Sequence, residues 1–248
     1  MSELHHFSDY LFIFAHPDDE VYCCGLMHQL IQSNKKVSVV FLTSGDAGEN
    51  SDLREQEASS SMRAVGVRDD DIYLMQFPEK QILGNFPDIL SKIREIVKKV
   101  GPDCVIGMDY EGGHEVHDGT SFLTACSIGG LSLAYYVFPV YHGENGKRKA
   151  AVFLPNRPST DEIQLTSEDV NVKIKAFEAH GGQVGHFLRL QRDNPDYFKL
   201  LFHREIFRKI TKPINYLMKP ADDIAYESHR NGFKFQDFLK AVKSVKTD

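Results

Sequence analysis

The sequence predicts an α/β protein, a mostly parallel sheet with helices on both faces. Two observations carry this. Apolar, partly β-branched runs alternate with helical stretches through the first half of the chain. The first of these runs also ends abruptly in charge, and the carboxyl ends of strands are where open α/β sheets bind ligands.

The first run is Tyr10-Leu11-Phe12-Ile13-Phe14, a buried strand. It stops at Ala15-His16-Pro17-Asp18-Asp19-Glu20, because Pro17 fixes its own φ and biases His16 toward an extended backbone. Val21 to Ser33 then fits a helix, and Val37 to Leu42 a second strand that ends in the turn-rich loop Thr43 to Asn50. A polar helix follows from Ser51 to Val65, and a third strand from Asp71 to Phe77. Pro87 to Val100 is amphipathic, with Ile89, Leu90, Ile93, Ile96 and Val97 at helical spacing, and Gly101-Pro102 ends it. Cys104 to Met108 is the fourth strand. Beyond it the pattern predicts a helix over Ser121 to Leu133 interrupted at Gly129-Gly130, and strands at Tyr135 to Val140 and Ala150 to Leu154. It predicts further helices at Glu168 to His180, Asp196 to Ile210 and Phe233 to Val245. No repeat and no Gly/Ser-rich linker divides the chain, so the expectation is one domain over 1–248, with a core at 8–190 and a helical extension at 191–248.

Composition excludes several function classes. A net charge of −6 argues against a general nucleic-acid binder, which needs a basic face. No apolar run approaches the roughly 18 residues of a membrane span, and the first residues lack the pattern of a signal peptide. Cys23, Cys24, Cys104 and Cys126 form no CxxC pair, so the reading is reduced thiols in a cytoplasmic protein.

The turn after the first strand points to chemistry. Charges at the end of a core strand are costly unless paired or bound to a cation. His114 and His117, three positions apart, follow the fourth strand in the same way. If the first and fourth strands are neighbours, His16, Asp19 and His117 converge, and a His₂Asp set with one open position is a catalytic zinc geometry. Asp18 is then available as general base, and His114 as a hydrogen-bond donor to a developing oxyanion. Glu20 reads as an acid complementing a helix dipole and as a supporting partner of the site residues, and His180 as a C-cap before Gly181-Gly182.

Ala-His-Pro-Asp-Asp-Glu after a first strand, with His-x-x-His about a hundred residues on, resembles the PIG-L/LmbE family of N-acetylglucosaminyl-phosphatidylinositol, mycothiol and bacillithiol deacetylases. The resemblance implies a zinc-dependent amidase on a Rossmann-like three-layer sandwich, with Zn2+ (or another divalent metal such as Fe2+) held by His16, Asp19 and His117. It implies Asp18 as the base and His114 as its assistant at the tetrahedral intermediate. Thr43-Ser44-Gly45-Asp46-Ala47-Gly48 and Leu53-Arg54-Glu55-Gln56-Glu57 are similar to two further family segments, which makes Arg54 and Asp46 substrate-binding candidates. Lys175-Ala176-Phe177 through His180 and Gln183 is similar to a later helix of the family. The chain reads His114-Glu115-Val116-His117 where the family often has His-Pro-Asp-His, so both histidines are kept. The implied partner is an N-acyl sugar or sugar conjugate, with no nucleic acid and with room for a homo-oligomer. Two readings compete. A nucleotide-binding oxidoreductase would need a Gly-rich turn where this chain is acidic. A non-catalytic metal protein would normally close its zinc with a fourth protein ligand.

Overall fold

A computed structural model describes residues 2–45, 51–229 and 233–245. The chain runs β1 (Asp9–Phe14), α1 (Cys24–Gln32), β2 (Lys36–Thr43), α2 (Ser51–Val65), β3 (Ile72–Phe77), α3 (Phe86–Val100), β4 (Cys104–Met108), α4 (Glu115–Ser127) and β5 (Ala134–Phe138). A hairpin of β6 (Tyr141–Glu144) and β7 (Lys147–Ala150) follows, then β8 (Asp161–Gln164), α5 (Ser167–Glu178), α6 (Val184–Asp193) and α7 (Tyr197–His203). β9 (Arg204–Lys209), α8 (Ala225–His229) and α9 (Phe235–Ser244) complete it.

The main sheet has the order β3-β2-β1-β4-β5-β9-β8. The five strands from β3 to β5 are parallel, and β9 lies antiparallel to both β5 and β8. Helices α1, α2 and α5 pack on one another as one outer layer, and α3, α4 and α9 as the other. β1 is paired on one side with β2 and on the other with β4. The strand order therefore reverses at β1, and the crevice outside the carboxyl ends of β1 and β4 is the switch point of the sheet. No helix of the described residues is long and apolar enough to cross a membrane.

Local sequence accounts for the elements. α3 starts with Pro87 in its first turn and ends at Gly101, whose φ of 62° suits glycine while its N–H returns to Val97. β1 and β4 are buried on both faces, which is why they read as continuous apolar runs.

Three expectations need correction. The helix expected over Asp196 to Ile210 stops at His203, because Glu205 and Phe207 alternate with more exposed neighbours at period two and enter the sheet as β9. The strand expected over Ala150 to Leu154 ends at Ala150, where Ala151 takes a φ of 58° and turns the chain away. The helix expected over Ser121 to Leu133 begins at Glu115 and ends at Ser127, so the second histidine pair stands on its first turn. Residues 191–248 thus carry a sheet strand as well as helices.

β9 also anchors the first helix. The buried Glu205 carboxylate accepts the N–H groups of Gly25 and Leu26 at 2.8 Å each, at the first turn of α1, and pairs with buried Lys173 of α5 at 2.5 Å. An anion there satisfies donors that the helix itself leaves open. Glu205→Ala strands the Lys173 ammonium and both N–H groups, and breaking a buried pair costs about 3–5 kcal/mol. Urea unfolding of Glu205→Ala is therefore expected to show a loss of that order, and a loss near zero would refute the anchoring role.

Candidate metal centre and active site

The turn after β1 is folded by its own acids. Asp19 closes back on the strand end, its Oδ2 accepting the His16 backbone N–H at 2.7 Å. Asp18 has a φ of 116°, a conformation that costs a non-glycine residue energy and persists only when its surroundings hold it. Those surroundings are Glu20, whose Oε2 accepts the Asp18 backbone N–H at 2.8 Å, and Arg54, whose Nη2 lies 3.3 Å from Asp18 Oδ2 and also donates to the Pro17 carbonyl.

α4 brings the other two histidines. His114 is its N-cap, with Nδ1 accepting the Val116 N–H at 3.1 Å, and His117 stands one turn further in. The loop before it is fixed by buried Asp118, whose Oδ1 accepts the N–H groups of Glu111 and Gly112. Gly113 is required here because a Cβ would lie 1.8 Å from the Tyr141 carbonyl oxygen.

Four possible ligand atoms from three residues converge between the two strand ends, two of them the oxygens of Asp19. His16 Nδ1 lies 3.4 Å from Asp19 Oδ2, His117 Nε2 lies 3.3 Å from Asp19 Oδ1, and the two nitrogens are 3.2 Å apart. Two donors each about 2.0–2.1 Å from a tetrahedral zinc stand about 3.3 Å from one another, so each of these separations suits that ion. Nitrogens of His16, His114 and His117 also lie within 4.8 Å of one another. However, His114 Nδ1 is already used by the Val116 N–H, and its other nitrogen faces Glu79 Oε1 at 3.5 Å. The closer donor set is His16, Asp19 and His117.

The electrostatics separate the roles. Burial opposes a charge on His16, but the hydrogen bond to Asp19 and the charges of Glu79, Asp19 and Asp18 outweigh it and raise its pKa to about 9. Burial pushes His114 down to about 4, so it is neutral near pH 7. With Nδ1 accepting from Val116, its proton is assigned to Nε2. Burial raises Asp18 to about 6, partly offset by Arg54.

Behind this set lies a buried ring. Glu20 Oε1 meets His180 Nε2 at 2.5 Å, His180 Nδ1 lies 4.0 Å from Glu57, Glu57 pairs with Arg54 at 3.3 Å, and Arg54 returns to Asp18. Of the two single-residue readings from the sequence, that of His180 changes here and that of Glu20 narrows to its supporting part. Glu20 is fully buried and holds the Asp18 peptide rather than facing a helix dipole in solvent, and His180 is its partner. Arg54 is buried and engaged by Pro17, Asp18 and Glu57, with its Nε unpartnered, while it still lines the cavity. Gly45 must be glycine, since its φ is 64° and a Cβ would lie 2.9 Å from Arg54 Nε. Asp46 lies outside the described residues.

The donors open onto a cavity of about 330 Å³. Sequence reasoning missed several of its walls. Glu79 lies 3.9 Å from His16 Nε2 and 3.5 Å from His114 Nε2. Tyr141 and Arg148 come from the β6–β7 hairpin, and His186 and Arg189 from α6. No motif marks them, because they reach the cavity only through the packing of later elements. The turn after β1 holds buried Asp19 and Glu20 where a pyrophosphate would need backbone donors, which weighs against the nucleotide-binding reading.

Residues 11–126 match the family model described as PIG-L, GlcNAc-PI de-N-acetylase. "Probable N-acetyl-alpha-D-glucosaminyl L-malate deacetylase 2" of Bacillus anthracis is 29% identical over 196 residues, covering 70% of this chain and 80% of the relative. Among solved structures, N,N'-diacetylchitobiose deacetylase from Pyrococcus horikoshii superposes with a TM-score of 0.63 at 18% identity, over 86% of this chain and 89% of that one. The A40926 pseudoaglycone deacetylase Dbv21 superposes with a TM-score of 0.62 at 15% identity, over 84% of this chain and 99% of that one. At those identities the likeness to the solved structures is one of fold.

Two measurements test the site. A metal ligand must be deprotonated, and His16 holds a proton up to about pH 9 in the metal-free chain. Zinc affinity is therefore expected to rise by about tenfold per pH unit from pH 6 to 8, with release of about one proton per ion; titrations showing neither would contradict the assignment. His180→Ala removes the partner of Glu20, so kcat is expected to fall by roughly 10–100-fold with zinc still bound. An unchanged kcat would remove His180 from the positioning ring.

Proposed function

Taking as premise a chain that resembles the PIG-L/LmbE family across residues 11–126, we propose that the protein is a zinc-dependent hydrolase. It removes an N-acyl group, foremost N-acetyl, from a glucosamine-type sugar or sugar conjugate. The observation that carries this reading is the cluster of His16, Asp19 and His117 ligand atoms at separations of 3.2–3.4 Å, with the Asp18 carboxylate beside it on the same cavity. The Bacillus anthracis relative, named for an N-acetylglucosaminyl substrate, supports the sugar.

His16, Asp19 and His117 would hold the ion, which when bound would supply positive charge for the acyl oxygen and acidify water. Asp18 takes the proton of the attacking water. It is outside the donor cluster, is oriented by Arg54, and has a pKa of about 6, suited to a group that must accept a proton and then return it. His114 donates from Nε2 to the oxygen that gains charge as the carbonyl carbon becomes tetrahedral. Its neutrality favours this role over that of proton source. The amide C–N bond then breaks, and Asp18 returns its proton to the leaving nitrogen, giving the free amine and acetic acid, which ionises to acetate by losing its proton to solvent or to the amine. The ring from Glu20 through His180, Glu57 and Arg54 keeps Asp18 in the conformation that does this.

The test combines metal content with amine release across N-acetyl amino sugars. A chelator is expected to abolish release and zinc to restore it. Asp18→Asn is expected to keep one zinc per chain while kcat drops by at least about 100-fold. Near-native turnover by Asp18→Asn, on a substrate the parent chain hydrolyses, would remove Asp18 as the base.

A further inference from the structure

The main sheet has two edges, and they are finished differently. β8 closes one edge with four residues, Asp161, Glu162, Ile163 and Gln164, of which only Ile163 is apolar. Short, charged strands of that kind are how sheet edges resist pairing. β3 closes the other edge with six residues, and none of them is charged. Ile72, Tyr73, Leu74, Met75 and Phe77 are apolar, yet each is only half-buried. Among the described residues, no strand pairs with the outer side of β3. Gln76, at a φ of 59°, ends the regular edge, so the ladder on offer is Ile72 to Met75.

The two faces beside this edge carry different groups, because successive side chains of a strand point to opposite faces. On the α3 face, Lys99 Nζ lies 4.9 Å over the Tyr73 ring, and Lys92 Nζ lies 4.7 Å over that of Phe77. On the α2 face, Leu74 shares a groove with Asp52, Glu55, Ser59, Ser60 and Arg63. Asp52 lies in the first turn of α2 and Arg63 in the last, and the two small serines stand between them. Glu55 accepts from Gln76 Nε2 at 2.8 Å. Arg63 Nε pairs with Asp69 at 2.8 Å, with both side chains exposed. An exposed pair of that kind is worth little, so Arg63 can exchange its partner at small cost.

We propose that the β3 edge is an interface with a second copy of this chain, joined β3 to β3 about a two-fold axis normal to the sheet. Identical strands related by such an axis run antiparallel, so one sheet continues through both copies and the backbone groups of Ile72 to Met75 find partners. The same axis keeps α2 beside α2 and reverses its direction. Asp52 and Glu55 of each copy then stand toward Arg63 of the other, at both ends of the contact, while Ser59 and Ser60 lie at the crossing, where larger side chains would hold the helices apart. An extended segment of one charge sign from another protein would match one end of this pattern and oppose the other, whereas a reversed copy of α2 matches both. The inner face of α2 holds Arg54 and Glu57 beside Asp18, so the interface braces that helix from its outer side. The inference concerns association, and it stands or falls apart from the deacetylase reading.

Sedimentation velocity on the full chain, over roughly 1–100 µM, is expected to show association into dimers. Ser60→Arg, at an exposed position where folding is not at issue, is expected to raise the dimer Kd at least about tenfold, and Leu74→Lys to do the same. Arg63→Glu sets like charges against Asp52 and Glu55 of the other copy and is expected to weaken the dimer, and adding Asp52→Lys to the same chain is expected to recover part of that loss. Hydrogen exchange at the Ile72 to Met75 amides is expected to slow as the chain is concentrated. Weakening by either Ser60→Arg or Leu74→Lys supports the interface. A chain that stays monomeric across the range overturns it, as an edge that takes a foreign segment would. So does a dimer that both variants leave intact.

Discussion

The parallel pairing of β1 with β4 is the constraint on which the site depends. It sets Tyr10 beside Cys104 and Phe12 beside Ile106, so the two strands finish side by side. Each then ends in polar residues that a sheet interior would not accept: His16 to Glu20 after one, Asp109 to His117 after the other. His16 and His117 are 101 positions apart in sequence and 3.2 Å apart at their ring nitrogens. The pairing is itself secured by apolar burial on both faces of the strands, and that large non-directional term offsets the cost of bringing like polar groups together at their ends.

Around that pairing the structure handles buried charge by closing it into partners. Asp18 leans on Arg54, Arg54 on Glu57, and Glu20 on His180, while Glu205 joins Lys173 to the first turn of α1. The first set links the turn after β1 to α2 and to the end of α5, and the second links α1 to α5 and β9. The later part of the chain is therefore not an appendage: His180 supplies the partner that lets Glu20 stand buried after a core strand. The departures from regular geometry fall in the same place: Asp18 at a φ of 116° and Gly45 at 64° both adjoin Arg54.

The cavity collects charge of both signs from this arrangement: Asp18, Asp19 and Glu79 line it together with Arg54, Arg148 and Arg189.

The sequence by itself determined the central strands, the helices between them and the two polar strand ends. It also singled out His16, Asp18, Asp19, His114 and His117, because each sits in a short motif whose residue types are costly in that position unless they do something. Only the tertiary structure decided how those residues divide the work. Which nitrogen of His114 is free follows from the Val116 N–H, and Glu20 becomes a positioning group because His180 arrives from 160 positions away. Glu79, Tyr141, Arg148, His186 and Arg189 join the site with no local signal at all. The physical reason is one of range. Periodicity and turn chemistry act over a few residues and are written in the local sequence, whereas the state and partner of a buried polar group are set by whatever the fold packs against it.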